Sequence, residues 1–158
     1  MKLLIKQRVF SWSDTYDVYD EWEQPRYFVK AEFLTLGHQI HVTDGYTGQE
    51  VGSIHQKIFS LMPQFDLVLD GRDMGFIRKE FTLFHPRYRL NLNGWQVQGD
   101  VFGWEYDVLD AGGCYVMHIT KELFHWGDTY VLDIPEAGNA LLCLLIAIAI
   151  DAANCDNG

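Results

Sequence analysis

The chain has 158 residues, a length for one domain, and its 48% hydrophobic and 22% charged content is that of a folded chain with a real core rather than a disordered one. A net charge of −10 disfavours nucleic acid, whose phosphates want clustered positive charge, and weakens any simple attraction to anionic lipid. Three cysteines, Cys114, Cys143 and Cys155, are odd in number and widely spaced, so they read as reduced thiols and make neither a disulfide framework nor a metal pattern.

At the N-terminus, Lys6 and Arg8 interrupt Met1-Lys-Leu-Leu-Ile5 before the apolar region of a signal peptide can form, so a cytoplasmic protein is expected. From there a unit recurs six times, in which apolar and polar residues alternate and the run ends at Asp or Asn. The copies are Tyr16-Asp-Val-Tyr-Asp20, Ile40-His-Val-Thr-Asp44, Phe65-Asp-Leu-Val-Leu-Asp70, Tyr88-Arg-Leu-Asn-Leu-Asn93, Tyr106-Asp-Val-Leu-Asp110 and Tyr130-Val-Leu-Asp133. Their first residues are 24, 25, 23, 18 and 24 apart. Asp44-Gly45, Asp70-Gly71 and Asn93-Gly94 follow as hairpin signals, and Gly112-Gly113 lies just past Asp110. A longer strand-like run follows each turn, over 26–36, 49–60, 74–83, 95–102 and 115–124, with 3–10 as the first. Breakers such as Gly37, Pro63, His85-Pro86, Gly103 and Gly127-Asp128 close them.

Six long and six short runs predict twelve strands over about 3–134, in an up-and-down antiparallel meander joined by tight turns. An open sheet of twelve leaves two edges, and closure into a barrel removes them. The fourth unit shows the phase. Tyr88, Leu90 and Leu92 share one face and Arg87, Arg89 and Asn91 the other. The partner run is expected to point Ile77, Phe81 and Leu83 inward and Arg78, Glu80 and Thr82 outward. Phe81 then pairs with Leu90, Arg89 with Thr82, and Glu80 reaches Arg89 diagonally as an ion pair.

The last stretch, Ala140-Leu-Leu-Cys-Leu-Leu-Ile-Ala-Ile-Ala-Ile150, is apolar all round. Asp133 with Glu136 resembles a capping box and Pro135 suits a first turn, so a helix is predicted over about 136–154. The apolar run is about half of a bilayer span and Asp151 ends it, so it is expected in a core. A barrel of about twelve strands is too wide for side chains alone, and a helix about 10–12 Å across fits such a space. Leu141, Leu142, Leu144, Leu145, Ile146, Ile148 and Ile150 are the expected plug of a single domain, 1–158.

The repeated motif in Lys57-Ile-Phe-Ser-Leu61 and Lys79-Glu-Phe-Thr-Leu83, the twelve strands and the terminal helix together resemble the tubby-like C-terminal superfamily. The nearest branch is the LURP-one-related family, and phospholipid scramblases are similar at greater distance. The resemblance covers nearly the whole chain. It implies a twelve-stranded antiparallel closed barrel around a central C-terminal hydrophobic helix. It also implies a choice of roles: phosphoinositide binding as in tubby, lipid scrambling, or a scaffold of LURP-one-related type. The tubby lipid-binding lysine and arginine have no assignable counterpart here. The scramblase calcium segment, palmitoylated cysteines and proline-rich arm have none either, and Asp151-Ala-Ala-Asn154 is too sparse for the first.

Among charged groups, Arg72, Arg78, Lys79, Arg87 and Arg89 crowd eighteen positions. Arg78, Arg87 and Arg89 are the candidate phospholipid-headgroup site, against the plainer reading of a solvated face. The acidic stretch Asp14, Asp17, Asp20, Glu21 and Glu23 lacks a regular calcium loop, and Asp70 with Asp73 reads as a turn. His38, His41, His55, His85, His118 and His125 sit in no zinc spacing, and no nucleophile elbow or phosphate loop is present. The expectation is a cytoplasmic, non-enzymatic binding or scaffold module without cofactor or metal. Its partner is an unknown protein or an anionic phospholipid headgroup, with a peripheral station at the membrane in the second case. Scramblase-like translocation ranks last.

Overall fold

The computed structural model describes residues 1–6, 15–32, 37–124 and 127–155. Twelve strands follow in chain order: β1 Lys2–Lys6, β2 Thr15–Asp20, β3 Pro25–Glu32, β4 Gln39–Asp44, β5 Glu50–Gln56, β6 Gln64–Leu69, β7 Arg72–Glu80, β8 Arg87–Asn91, β9 Gln96–Asp100, β10 Glu105–Leu109, β11 Tyr115–Phe124 and β12 Gly127–Asp133. All belong to one antiparallel sheet, ordered β8-β7-β6-β5-β4-β3-β2-β1-β12-β11-β10-β9. Each expected run overlaps one strand. Gly127 and Asp128 lie inside β12 and do not break it. The expected reach of the first two long runs into 7–10 and 33–36 falls outside the described residues, as do Asp14 and His125.

The first and last strands close the sheet. β1 ladders with β12 from Lys2↔Asp133 to Lys6↔Thr129, and Met1 and Ile134 exchange two further hydrogen bonds beyond that ladder. Alternation sets the inner face. In β3, Tyr27, Val29 and Ala31 are buried while Phe28 and Lys30 face out.

A 3-10 turn, Ala137–Asn139, leads into the helix α1, Ala140–Cys155. The expected capping box is not made, because Glu136 is the N-cap of the 3-10 turn and forms no side-chain cap bond. The chain leaves β12 through a tight turn instead. With that turn the helical segment spans 19 residues, long and apolar enough by composition to cross a bilayer, and 67% of its apolar window is buried inside the protein. Leu142, Leu144, Leu145, Ile146, Ile148 and Ile150 are buried as predicted, and Leu141 is only partly covered. A helix buried all round needs a continuous apolar wall, and the inner faces of the strands supply it. Where β5 meets α1 the fit depends on Gly52, since a Cβ there would lie 3.2 Å from both methyls of Leu145.

Up-and-down order puts every odd-to-even connection at one end of the barrel and every even-to-odd connection at the other. The even-to-odd end has short turns. Asp20, Asp44 and Asp110 each use one carboxylate oxygen to accept two backbone N–H groups of their own turn, at 2.8–2.9 Å. Asp70-Gly71 and Asn93-Gly94 turn with positive φ at both residues. Of the odd-to-even connections, β5–β6 (57–63) and β7–β8 (81–86) run to seven and six residues, against the expectation of tight turns throughout.

Candidate functional site

Two features stand out on the surface, and both involve β8. The first is the odd-to-even end. The expected strand over 74–83 stops at Glu80, and the one over 49–60 stops at Gln56. Phe81 and Leu83 therefore do not enter the core. They stand in a loop of residues 81–86 with exposures of 79% and 82%. The β7–β8 register follows from that. Ile77 pairs with Leu90, Arg78 with Arg89 and Glu80 with Arg87, four residues away from the register expected over a tight turn. Glu80 remains diagonal to Arg89, and no ion pair between them is among the described salt bridges.

Phe59 and Leu61, from the earlier copy of the repeated motif, are exposed in the β5–β6 loop, and Leu61 is wholly so. Ile58, Phe84, Phe102 and Leu123 are exposed at the same end. A notch of about 290 Å³ runs between these loops, lined by Met62, Phe81, Phe84, Pro86 and Phe102 among others. Lys79 reaches its floor from the inner face of β7, buried, with Nζ 5.8 Å from the centroid of the Phe102 ring. The aromatic residues exposed at the opposite end each carry a polar tip: Trp22, Tyr46 and Tyr115. Tyr46 also lies under the Arg26 guanidinium, 5.2 Å from ring centre.

The second feature is a seam. Every neighbouring pair in the ring is laddered except β8 and β9. The expected complete closure thus stops one interval short. Two adjoining clefts of about 500 and 530 Å³ occupy that interval, and Arg87, Tyr88, Gln96 and Val97 line both. The candidate headgroup residues sit beside it. Arg78 and Arg89 are directly opposed across β7 and β8, and Arg87 is two positions along. The sequence reading of one outward basic face is met to that extent. The three differ in freedom, however. Arg78 is clamped, with Nε and Nη2 donating to Gln64 Oε1 at 2.8 and 2.6 Å and the guanidinium lying 5.0 Å from the centroid of the Phe76 ring. Arg87 and Arg89 are exposed. Like charges directly opposed destabilise a sheet, so this face favours an anion nearby.

Under the seam, the C-terminal end of α1 is polar. The Tyr88 hydroxyl donates to Asn154 Oδ1, tying β8 to the helix. The Tyr106 hydroxyl is buried without a hydrogen-bond partner, and burial first, then nearby Asp151, holds its pKa well above the ordinary value. Cys143 lies deeper, its thiol directed at the Val116 carbonyl at 3.8 Å and pushed by burial up to about 12. Cys114 and Cys155 are exposed and form no disulfide.

Several of the remaining candidates have local partners. Asp20 and Asp73 accept turn N–H groups, His41 meets Glu32 and Glu50, His118 meets Asp107, and His55 meets Ser53. Among the described residues, no group of three or more His, Cys, Asp and Glu side chains could hold a metal.

The family model for LURP-one-related proteins matches residues 1–151. The chain belongs to the LURP-one-related family. A relative, the uncharacterized protein YxjI of Bacillus subtilis (strain 168), is 32% identical over 151 residues, covering 96% of this chain and 92% of that one. The X-ray structure of Arabidopsis thaliana AT5G01750 superposes with a TM-score of 0.61 at 14% identity, covering 96% of this chain and 90% of that one. That likeness shows the shared barrel.

Proposed function

We propose that this LURP-one-related chain is a non-enzymatic, cytoplasmic binding module that contacts a protein partner through its odd-to-even end. One observation carries the reading: large apolar side chains that a core would take are displayed on neighbouring loops of a single end. Exposed apolar surface gathered in one place marks an interaction site. The barrel axis, where a small-molecule barrel keeps its pocket, holds α1. A net charge of −10 also favours a protein partner over an anionic bilayer.

The test compares the wild type with a Phe59→Ser/Leu61→Ser/Phe84→Ser variant in capture from the native cell and in flotation with neutral vesicles. A partner retained by the wild type and lost by the variant supports the reading. Identical capture by both, or flotation of the wild type alone, overturns it. A second reading has its own support. The opposed Arg78 and Arg89, with Arg87 beside them, suit an anionic phospholipid headgroup. Phosphoinositide vesicles that bind the wild type and not Arg87→Glu/Arg89→Glu would establish it, and equal binding would remove it.

A further inference from the structure

We infer that the unladdered interval between β8 and β9 is a strand-addition site, which takes an extended acidic segment of a partner polypeptide as a thirteenth strand. The site adjoins the apolar loops, since His85 and Pro86 line both the notch and one of the clefts, but it does not depend on their role.

The backbone gives the first reason. β8 and β9 are consecutive and joined by Asn93-Gly94, with φ of 51° and 70°, and Trp95 N–H donates to the Leu92 carbonyl at 2.9 Å. That turn chemistry ordinarily closes a hairpin. The two strands nevertheless form no ladder, while each is laddered on its other side, to β7 and to β10. Two edges with unspent N–H and C=O groups therefore face each other. Edge pairing by an incoming segment is an established mode of peptide recognition, in which main-chain hydrogen bonds give affinity and alternate side chains give specificity.

Space and chemistry give the second. The two clefts run along the interval and together exceed about 1,000 Å³. Each flanking strand is five residues long, which sets the length of the insert. Gly99 contributes no side chain to the wall on the β9 side. The inward-facing lining is Leu90, Val97 and the ring of Tyr88, whose hydroxyl reaches the polar end of α1. The outward rim has Arg87 and Arg89 on β8 and, on β9, the uncharged amides Gln96 and Gln98 with Asp100 at the strand's end. Among the described residues, Glu80, opposite Arg87, is the one carboxylate lining the clefts. A strand presents its side chains alternately to two faces. The segment that fits is thus apolar at inward positions and carboxylate at outward ones, where its charges meet Arg87 and Arg89.

The probe is a labelled Val-Glu-Val-Glu-Val-Glu-Val peptide added to the full chain. Controls carry Lys for Glu, or Pro at every second position so that backbone donors are lost. Binding is read by fluorescence anisotropy, and amide hydrogen exchange locates the site. The expected result is slowed exchange in both β8 and β9, with each control peptide at least about tenfold weaker. Arg87→Gln/Arg89→Gln weakens the acidic peptide by about tenfold without a change in melting temperature. Binding persists in Phe59→Ser/Leu61→Ser/Phe84→Ser, which keeps this site's outcome distinct from that of the loops. Loss of binding in that variant would move the peptide to the loops and overturn the proposal. Equal affinity for the proline peptide, protection confined to one strand, or displacement by inositol phosphate with no slowed exchange would each reduce the seam to a simple anion patch and overturn it as well.

Discussion

The two ends of this barrel are built from the same strands and finished by opposite chemistry. At the even-to-odd end the turns are short, and carboxylates accept the backbone N–H groups that the turns leave open. Asp20, Glu21 and Glu23 crowd one turn, Asp44 and Glu50 flank the next, and Asp70, Asp73, Asp110, Asp133 and Glu136 continue the series against Lys2, Arg26 and Arg72. This end is finished and acidic. At the odd-to-even end, the strands stop while the apolar pattern continues into the loops. Phe59, Leu61, Phe81, Leu83 and Phe84 stand in water. The turn end is optimised for folding, whereas the loop end bears exposure that folding alone does not require.

Changes to the shared core should damage both ends at once and give the largest effect. Leu144→Ala, in the middle of the buried helix, should lower stability by about 2–5 kcal/mol in denaturant unfolding. Unfolding should remain a single transition by circular dichroism and by tryptophan fluorescence. Two separated transitions would show that the ends are independently supported, and the comparison would need recasting.

Next comes the backbone near the turn end. Gly75, in β7, has φ of 131°, and a Cβ there would lie 1.9 Å from the Asn91 carbonyl oxygen on β8. Gly75→Ala should cost about 1–3 kcal/mol, since the strained conformation and the clash with backbone act together. It should also loosen the β7–β8 ladder first, as read by amide exchange in β8.

Acid should act on the turn end more gently. The backbone N–H groups of Thr47 and then Tyr46 hold the Asp44 carboxyl below its ordinary pKa. A depressed carboxyl pKa contributes stability that is present above the unfolded value and is lost as pH falls through the folded one. The melting temperature should therefore decline below about pH 4. Asp44→Asn should make that decline shallower while leaving the loop end's binding unchanged.

Substitution at the loop end should have the smallest effect on stability. Phe59→Ser/Leu61→Ser/Phe84→Ser should stay within about 0.5 kcal/mol of the wild type, because these side chains touch water rather than core. A loss of several kcal/mol would mean that they pack in solution, and the contrast between the ends would fail. The cysteines mark the two ends without any substitution. Cys114 lies in a turn-end connection, and Cys155 closes α1 beside Asn154, which β8 reaches from the loop end. A bound protein partner should slow maleimide labelling of Cys155 and leave Cys114 unchanged.

Particular residues show what local pattern conveys and what it omits. The alternation in Tyr88-Arg-Leu-Asn-Leu92 gave the right phase, with Tyr88 and Leu90 inside and Arg87 and Arg89 outside. The same alternation continues through Phe81-Thr-Leu83, and there it misleads. Period-2 patterning tells which residues share a face but not where a strand ends. An apolar loop built for contact therefore looks like one more turn of the core. The repeat of Lys57-Ile-Phe-Ser-Leu61 at Lys79-Glu-Phe-Thr-Leu83 is the signal that could have marked those loops, since both copies place their Phe and Leu in connections of the same end. The expected β7–β8 register, with Arg89 opposite Thr82, fails for the same reason, because it assumes a tight turn where a six-residue loop stands.

The amino-acid sequence by itself determined the strand number and phase, the Asp- and Gly-based turns, and the interior place of an all-apolar helix. Each follows from the chemistry of neighbouring residues: side-chain alternation, positive φ at glycine and asparagine, and burial of a segment with no polar face. Tertiary structure alone decided that Asn93-Gly94 would turn the chain without a ladder after it, and that three arginines would gather beside the gap. Whether a ring of strands closes depends on the summed twist and stagger of all its members around the helix, and no single hairpin carries that information.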